Sequence, residues 1–382
     1  MIRYMHEREE DNLFFRAETT HSQTLNDGAL NGYNGISAFT SSANVKVTEF
    51  MRLLGYGAKN TYNRYCFEES SPVANLFLNL KYMLERDGDV EANRYFDEVF
   101  ASGDVYLLEN NAWLPLGFLA EAELGELVFT ASAHFQLQNA LFSAATGLYS
   151  DVWHPLTPQI TGENVSLDTV NGVHLKYSGA TSGAVVTYSF MAERESFLCL
   201  DFDVTDRNSY TVHCNGEQLY SESLSPTQMI AACDVTPGDI IDVKLTCKDG
   251  EEGRMTIRAA VLDDGLFRRG WEALNRSTLE ITEFDTTCIR GTVDADREGL
   301  LYTSIPQDGG WHARVDGQEV EPVLVGDVMV AVPLTAGSHE VEFVYRNSAF
   351  EIGWKISAIC LLLFGMTVPI YYSKRRKGRF EK

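Results

Sequence analysis

An uncharged run of seventeen residues near the carboxy terminus, Ile356 to Tyr372, is followed at once by Lys374, Arg375, Arg376, Lys377 and Arg379. At about 1.5 Å per residue the run makes roughly 25 Å of helix, the short end of what crosses a hydrocarbon core. Trp354, Tyr371 and Tyr372 stand at its two ends, where interfacial aromatics sit. This feature divides the chain. A transmembrane helix is expected over 354–373 and a basic cytoplasmic tail over 374–382. Because positive flanks stay inside, everything before Lys355 is placed outside the cytoplasmic membrane. The competing reading is a buried core helix ending in a solvated basic patch; a run that is apolar all round and ends the chain favours the span.

The 382 residues carry a formal net charge of −23, and the tail holds six positive charges against one negative, which leaves −28 on the remainder. Such acidity excludes nucleic acid as a partner and suits a solvated ectodomain. A chain of this length exceeds what one hydrophobic core serves, so several domains are expected. Seven cysteines, at positions 66, 199, 214, 233, 247, 288 and 360, form no CxxC pair and no His/Cys set at zinc spacing. No metal and no other cofactor is signalled. Cys360 falls in the membrane run, and the other six lie mostly in strand-like stretches, either as buried thiols or as one or more disulfides. Met1 to Arg16 is polar and has no apolar signal-peptide core. The expectation is therefore that the C-terminal helix directs export, or that a longer membrane protein supplies earlier spans.

The fold class read from the pattern is an α+β N-terminal region followed by two β-sandwich (jelly-roll-like) modules and one C-terminal transmembrane helix. Residues 1–155 form the mixed α/β extracytoplasmic domain. Ser42 is a cap for a helix carrying Val47, Phe50, Met51 and Leu54, stopped by Gly55. Ser71-Pro72 opens a second helix that gives way to a strand at Lys81–Leu84, and a third spans Phe135 to Thr146, closed by Gly147. Two prolines around Trp153 to Pro158 mark a linker. Residues 156–265 form the first sandwich, where Leu198, Leu200, Phe202 and Val204 alternate with Cys199, Asp201 and Asp203. After a helical break from Leu266 to Asn275, the second module completes 266–350. The two modules resemble each other: a first hairpin glycine (Gly216, Gly317) precedes a second (Gly238, Gly337) by 22 and 20 residues.

Chemistry is thinly signalled. Asp201 and Asp203 share one strand face about 6 to 7 Å apart, with Asp206 following, and make a weak acid pair for glycoside cleavage. No GxSxG, Walker loop or GxGxxG is present, and no catalytic residue is assigned. Trp311 and Trp153 are candidates for stacking on sugar rings, and Asp316, in the turn pair Asp316-Gly317, joins them as a candidate glycan contact.

Several strings together resemble the YfhO family of bacterial membrane proteins. They are YNGISAFTSS (Tyr33 to Ser42), LNLKYML (Leu78 to Leu84), ENNAWLPLGF (Glu109 to Phe118) and LQNALFSAATG (Leu137 to Gly147). The second module adds Gly299 to Val320, Leu334 to Arg346, and Gly353 with Ile356-Ser357 leading into the membrane helix. The family is similar to the GT-C glycosyltransferases, so the resemblance implies transfer of sugars from an undecaprenyl-phosphate carrier to a wall polymer of the teichoic acid type. The family's amino-terminal spans and the acidic residues of its first outer loop have no counterpart here, so no catalytic residue is carried over. This chain alone is expected not to be catalytic. The partners implied are the lipid bilayer, a lipid-linked sugar or wall polymer, and a multi-span membrane part. Two other readings remain: a membrane-anchored surface module binding wall glycan or protein, and a tethered glycosidase using Asp201 and Asp203.

Overall fold

The computed structural model describes residues 1–20, 22–58, 63–67, 71–86, 93–130, 133–170, 174–204, 209–223 and 228–377. In the N-terminal region, helix Val45–Leu54 starts two residues later than Ser42 suggests, because Asn44 is the cap and its side chain accepts from Lys46 N–H. Gly55, at φ 103°, ends it in the left-handed conformation that glycine adopts without Cβ strain. Ser71 caps Pro72–Phe77, with proline in the first turn. A four-stranded sheet runs in the order Arg16–Thr19, Leu80–Glu85, Val105–Asn110, Phe96–Ser102. Its first pair is parallel.

Both β-sandwiches form, and they share a topology. In the first, one sheet has the order Gln159–Glu163, Val185–Met191, Ile240–Thr246, Ser209–Cys214, Glu217–Ser223. Its counterpart in the second module has Glu280–Asp285, Cys288–Ala295, Gly337–Tyr345, Trp311–Val315, Gln318–Val320 in the same places. The equivalent hairpins turn on Asn215-Gly216 (φ 51° and 87°) and Asp316-Gly317 (φ 52° and 77°). Asn-Gly and Asp-Gly favour such turns because both central residues need positive φ.

The facing sheets have six strands in the first module and four in the second, and the neighbour of the central strand differs in origin. In the first module Ser196–Val204 lies between Gln228–Val235 and the returning strand Gly253–Leu262. In the second, Gly299–Pro306 pairs with Met329–Leu334 on one side. On its other side, where the returning strand would lie, sits Gly117–Ala120 from the N-terminal region, antiparallel from Leu300↔Ala120 to Thr303↔Gly117. The chain of the second module leaves for the membrane helix after Tyr345, and a strand made far earlier in the sequence fills the place.

One apolar core ties these parts together. Phe50, Phe77, Phe118 and Phe142 of the N-terminal region pack with Phe197, Cys199 and Met229 of the first sandwich and Tyr302 and Met329 of the second. Helix Asp264–Leu274, at the junction of the two modules, turns Leu266, Phe267 and Leu274 into that core. Arg94 ties the N-terminal region to the first sandwich and the junction helix by charge, donating to Asp234 at 2.6 Å and Asp264 at 2.5 Å. The C-terminal helix spans Ser348–Lys377, six residues earlier at its start than the hydropathy implies, since the Asn347 side chain accepts from Phe350 N–H. Its segment Ser348–Pro369 is long and apolar enough to cross a membrane, and none of it is buried against the rest of the protein.

Candidate functional site

Helix His134–Thr146 has two faces. His134, Phe135, Leu137, Gln138, Leu141, Phe142 and Ala145 are buried. Gln136, Asn139, Ala140 and Ser143 stand at i, i+3, i+4 and i+7, which puts them on one opposite side. Gly147, at φ 69°, ends the helix and turns the chain so that Tyr149, Ser150 and Asp151 come back beside that polar stripe. Together they line a cleft of about 510 Å³. Tyr149 is 76% exposed, an aromatic face left bare to solvent among amide, hydroxyl and carboxylate groups.

The floor of the cleft is rigid. Asn139 Oδ1 accepts from Trp153 N–H at 2.8 Å, and its Nδ2 donates to the Trp153 carbonyl at 3.3 Å. One residue earlier, Gln138 Oε1 accepts from Ser71 Oγ at 2.8 Å and from the Trp153 indole at 2.9 Å, while its Nε2 donates to the Leu54 carbonyl at 2.9 Å. A buried amide so fully satisfied fixes its helix against three segments distant in sequence. Chemically the cleft offers hydrogen bonds and one stacking surface. Its single lining carboxylate, Asp151, is half of what glycoside cleavage requires.

The residues singled out by sequence fall elsewhere. Trp153 is fully buried, with its ring 5.2 Å from Phe135. It supports the cleft from beneath and presents no face to a sugar, which corrects the expectation for this residue. Asp201 is also fully buried, while Asp203 on the same strand is exposed. The strand has no wet face at Asp201 because the N-terminal region covers it. Asp201 Oδ1 meets His134 Nδ1 at 2.7 Å, and its Oδ2 accepts from Arg258 at 3.1 Å. Burial pushes this carboxyl up, but the His134 and Arg258 charges and their hydrogen bonds outweigh it and hold it below the usual aspartate value. The other ring nitrogen of His134 faces the Arg52 carbonyl at 3.1 Å. Both ring nitrogens thus confront oxygen atoms of other elements. Asp201 is an ion-paired strut between helix and sandwich, and it is not paired with Asp203 across an open site. Asp206 lies outside the described residues.

Trp311 is half-buried, its ring edge-on to Tyr345 at 5.3 Å. It stands at the end of the second sandwich from which the chain enters the membrane helix. Asp316, at the other end of the same strand, is exposed and already engaged: one oxygen accepts from Glu340 N–H at 3.0 Å, the other meets His339 Nδ1 at 2.8 Å. These bonds hold its carboxyl low and His339 high. Among the described residues no group of three or more His, Cys, Asp or Glu side chains is arranged to hold a metal. The sequence reading missed the cleft, whose one signal is a polar stripe at helical spacing, Gln136, Asn139 and Ser143, followed by Gly147 and Tyr149.

A membrane-anchored chain of β-sandwiches on an α/β base is the class this architecture defines. The family described as bacterial membrane protein YfhO matches residues 2–357, and the chain belongs to it. No curated protein matches. Solved structures with local likeness include a family two carbohydrate esterase from Clostridium thermocellum, with 16% identity, 28% of this chain and 32% of that chain covered, and a TM-score of 0.21. The C-terminal CBM6 of the laminarinase LamC from Zobellia galactanivorans has 10% identity, 26% and 90% coverage and a TM-score of 0.21. A family 29 carbohydrate-binding module has 15% identity, 28% and 89% coverage and a TM-score of 0.22. The match takes in about a third of the esterase's length. At such TM-scores none of these bears on function.

Proposed function

We propose that this chain is the extracytoplasmic, glycan-holding part of a membrane glycosyltransferase system that moves undecaprenyl-phosphate-linked sugars onto a wall polymer of the teichoic acid type. The observation that carries the reading is the cleft along Gln136, Asn139, Ser143, Tyr149 and Asp151. It combines an exposed aromatic face with polar groups on a helix locked from below. Family membership and the apolar helix Ser348–Pro369 support a membrane setting, and the basic residues after Tyr372 support an outward domain. In this reading the cleft holds the acceptor polymer. Trp311, beside the membrane helix, contacts the lipid-linked sugar, and Asp316 borders the acceptor path. Bond-making belongs to a multi-span membrane part working beside this chain.

Full-length protein in nanodiscs, titrated with teichoic acid fragments, tests the reading. Tyr149→Ala is expected to weaken binding about tenfold, the loss of one stacking face, with circular dichroism unchanged. Absence of polymer binding by the wild type, or equal binding by a folded Tyr149→Ala variant, overturns it.

A further inference from the structure

In the first sandwich, Cys214 ends strand Ser209–Cys214 of one sheet, and Cys233 lies in strand Gln228–Val235 of the other. Tyr210 and Val212 point into the space between the sheets, and period-two alternation sends Cys214 the same way. Cys233 stands opposite Leu198, which also faces that interior. Both thiols are free and pack against the one apolar cluster, one from each sheet, close enough for each to act on the other's ionisation. Each belongs to a strand at or next to a sheet edge: Gln228–Val235 is an edge strand, and Ser209–Cys214 is covered only by Glu217–Ser223. Cys199 neighbours Cys233 in sequence register but projects to the opposite side, into the core shared with the N-terminal region.

We propose that Cys214 and Cys233 are a disulfide site that staples the two sheets of the first sandwich along this edge in an oxidising environment. The proposal rests on the outward orientation given above for its operation in the cell, and on the facing thiols for its chemistry. With glutathione disulfide as oxidant, the Cys214 thiolate attacks one sulfur, forming a mixed disulfide and releasing one glutathione. The Cys233 thiol loses its proton and displaces the second glutathione, closing the S–S bond. Two thiol hydrogens are lost, and two electrons pass to the oxidant. Burial raises both thiols, Cys233 to about 12, so closure through Cys233 is the slow, base-favoured step.

The test uses the full chain in detergent, reduced, then incubated with glutathione disulfide, alkylated under denaturing conditions and mapped by mass spectrometry. The expected product has lost two hydrogens and yields one linked peptide joining Cys214 to Cys233, while Cys199 is alkylated. Cys214→Ser and Cys233→Ser each abolish the linked peptide. Alkylation of both thiols after oxidation, a glutathione adduct that never closes, or a bond to Cys199 overturns the pairing. Acid-trapped cell membranes separate the two premises. A linked peptide in that sample supports both. Free thiols there, beside a purified protein that closes the bond, leave the pairing standing and overturn the outward orientation.

Discussion

Replacing Asp201 by Asn removes the carboxylate that both Arg258 and the His134 ring contact. Asp201 and His134 have side chains only 1% and 5% exposed, and Arg258 is 24% exposed. The variant leaves the His134 ring facing the Arg52 carbonyl with no anion beside it. Breaking a buried pair from one side costs about 3–5 kcal/mol, because the remaining charge stays desolvated. Converting this to temperature depends on what melts together. If about 350 extramembrane residues unfold as a unit, the unfolding entropy is about 0.7 kcal/mol/K and the midpoint falls by about 4–7 °C. If the first sandwich, about 110 residues, melts alone, the fall is about 13–22 °C. Scanning calorimetry of the full chain in detergent reads both the shift and the cooperative unit. The native carboxyl is held below its usual range despite burial, by His134 and Arg258. Its contribution is therefore complete above the unfolded value near pH 4 and disappears as pH falls through the lower folded value. The wild type and Asp201→Asn curves should converge in acid. A shift under about 1 °C at pH 7, or a gap that persists undiminished in acid, refutes the strut.

Gly270 lies where an added Cβ would come within 2.1 Å of the Phe142 ring, so Gly270→Ala overpacks the contact between two helices. It should lower stability by about 1–3 kcal/mol in urea titrations, and an unchanged midpoint would contradict the packing. His339 holds its proton above the ordinary histidine range, chiefly through its hydrogen bond to Asp316. Any stabilisation from that pair is complete below pH about 6.5 and is lost as pH rises through the raised value. In imidazole NMR titrations Asp316→Asn should move the His339 midpoint down; no movement would remove Asp316 as the cause.

The local grammar of this chain was readable, and its long-range packing was not. Period-two runs such as Leu198 to Val204, the Asn215-Gly216 and Asp316-Gly317 turns, Gly147 after its helix and the apolar run from Ile356 all act within a few residues, and each produced the expected element. Alternation around Asp201 implied a half-wet strand because nothing near it announces that His134 lies against it. The same blindness applied to Trp153, whose burial depends on Gln138 and Ser71. Gly117–Ala120 is apolar enough to be a strand, but its partner at Leu300–Thr303 is named by geometry alone.

That borrowed strand sets an order of events during biogenesis. Gly117–Ala120 emerges from the ribosome long before Gly299–Pro306 exists, so its ladder groups wait unsatisfied while the intervening polypeptide is made. Closure of the last sandwich then depends on a contact of very high sequence separation, the slow kind. Once Gly117–Ala120 is docked, the segment after Tyr345 has no sheet to rejoin and is free to enter the lipid. The last sandwich is thus completed by the amino-terminal end of the chain: without Gly117–Ala120, strand Gly299–Pro306 would keep one edge unpaired.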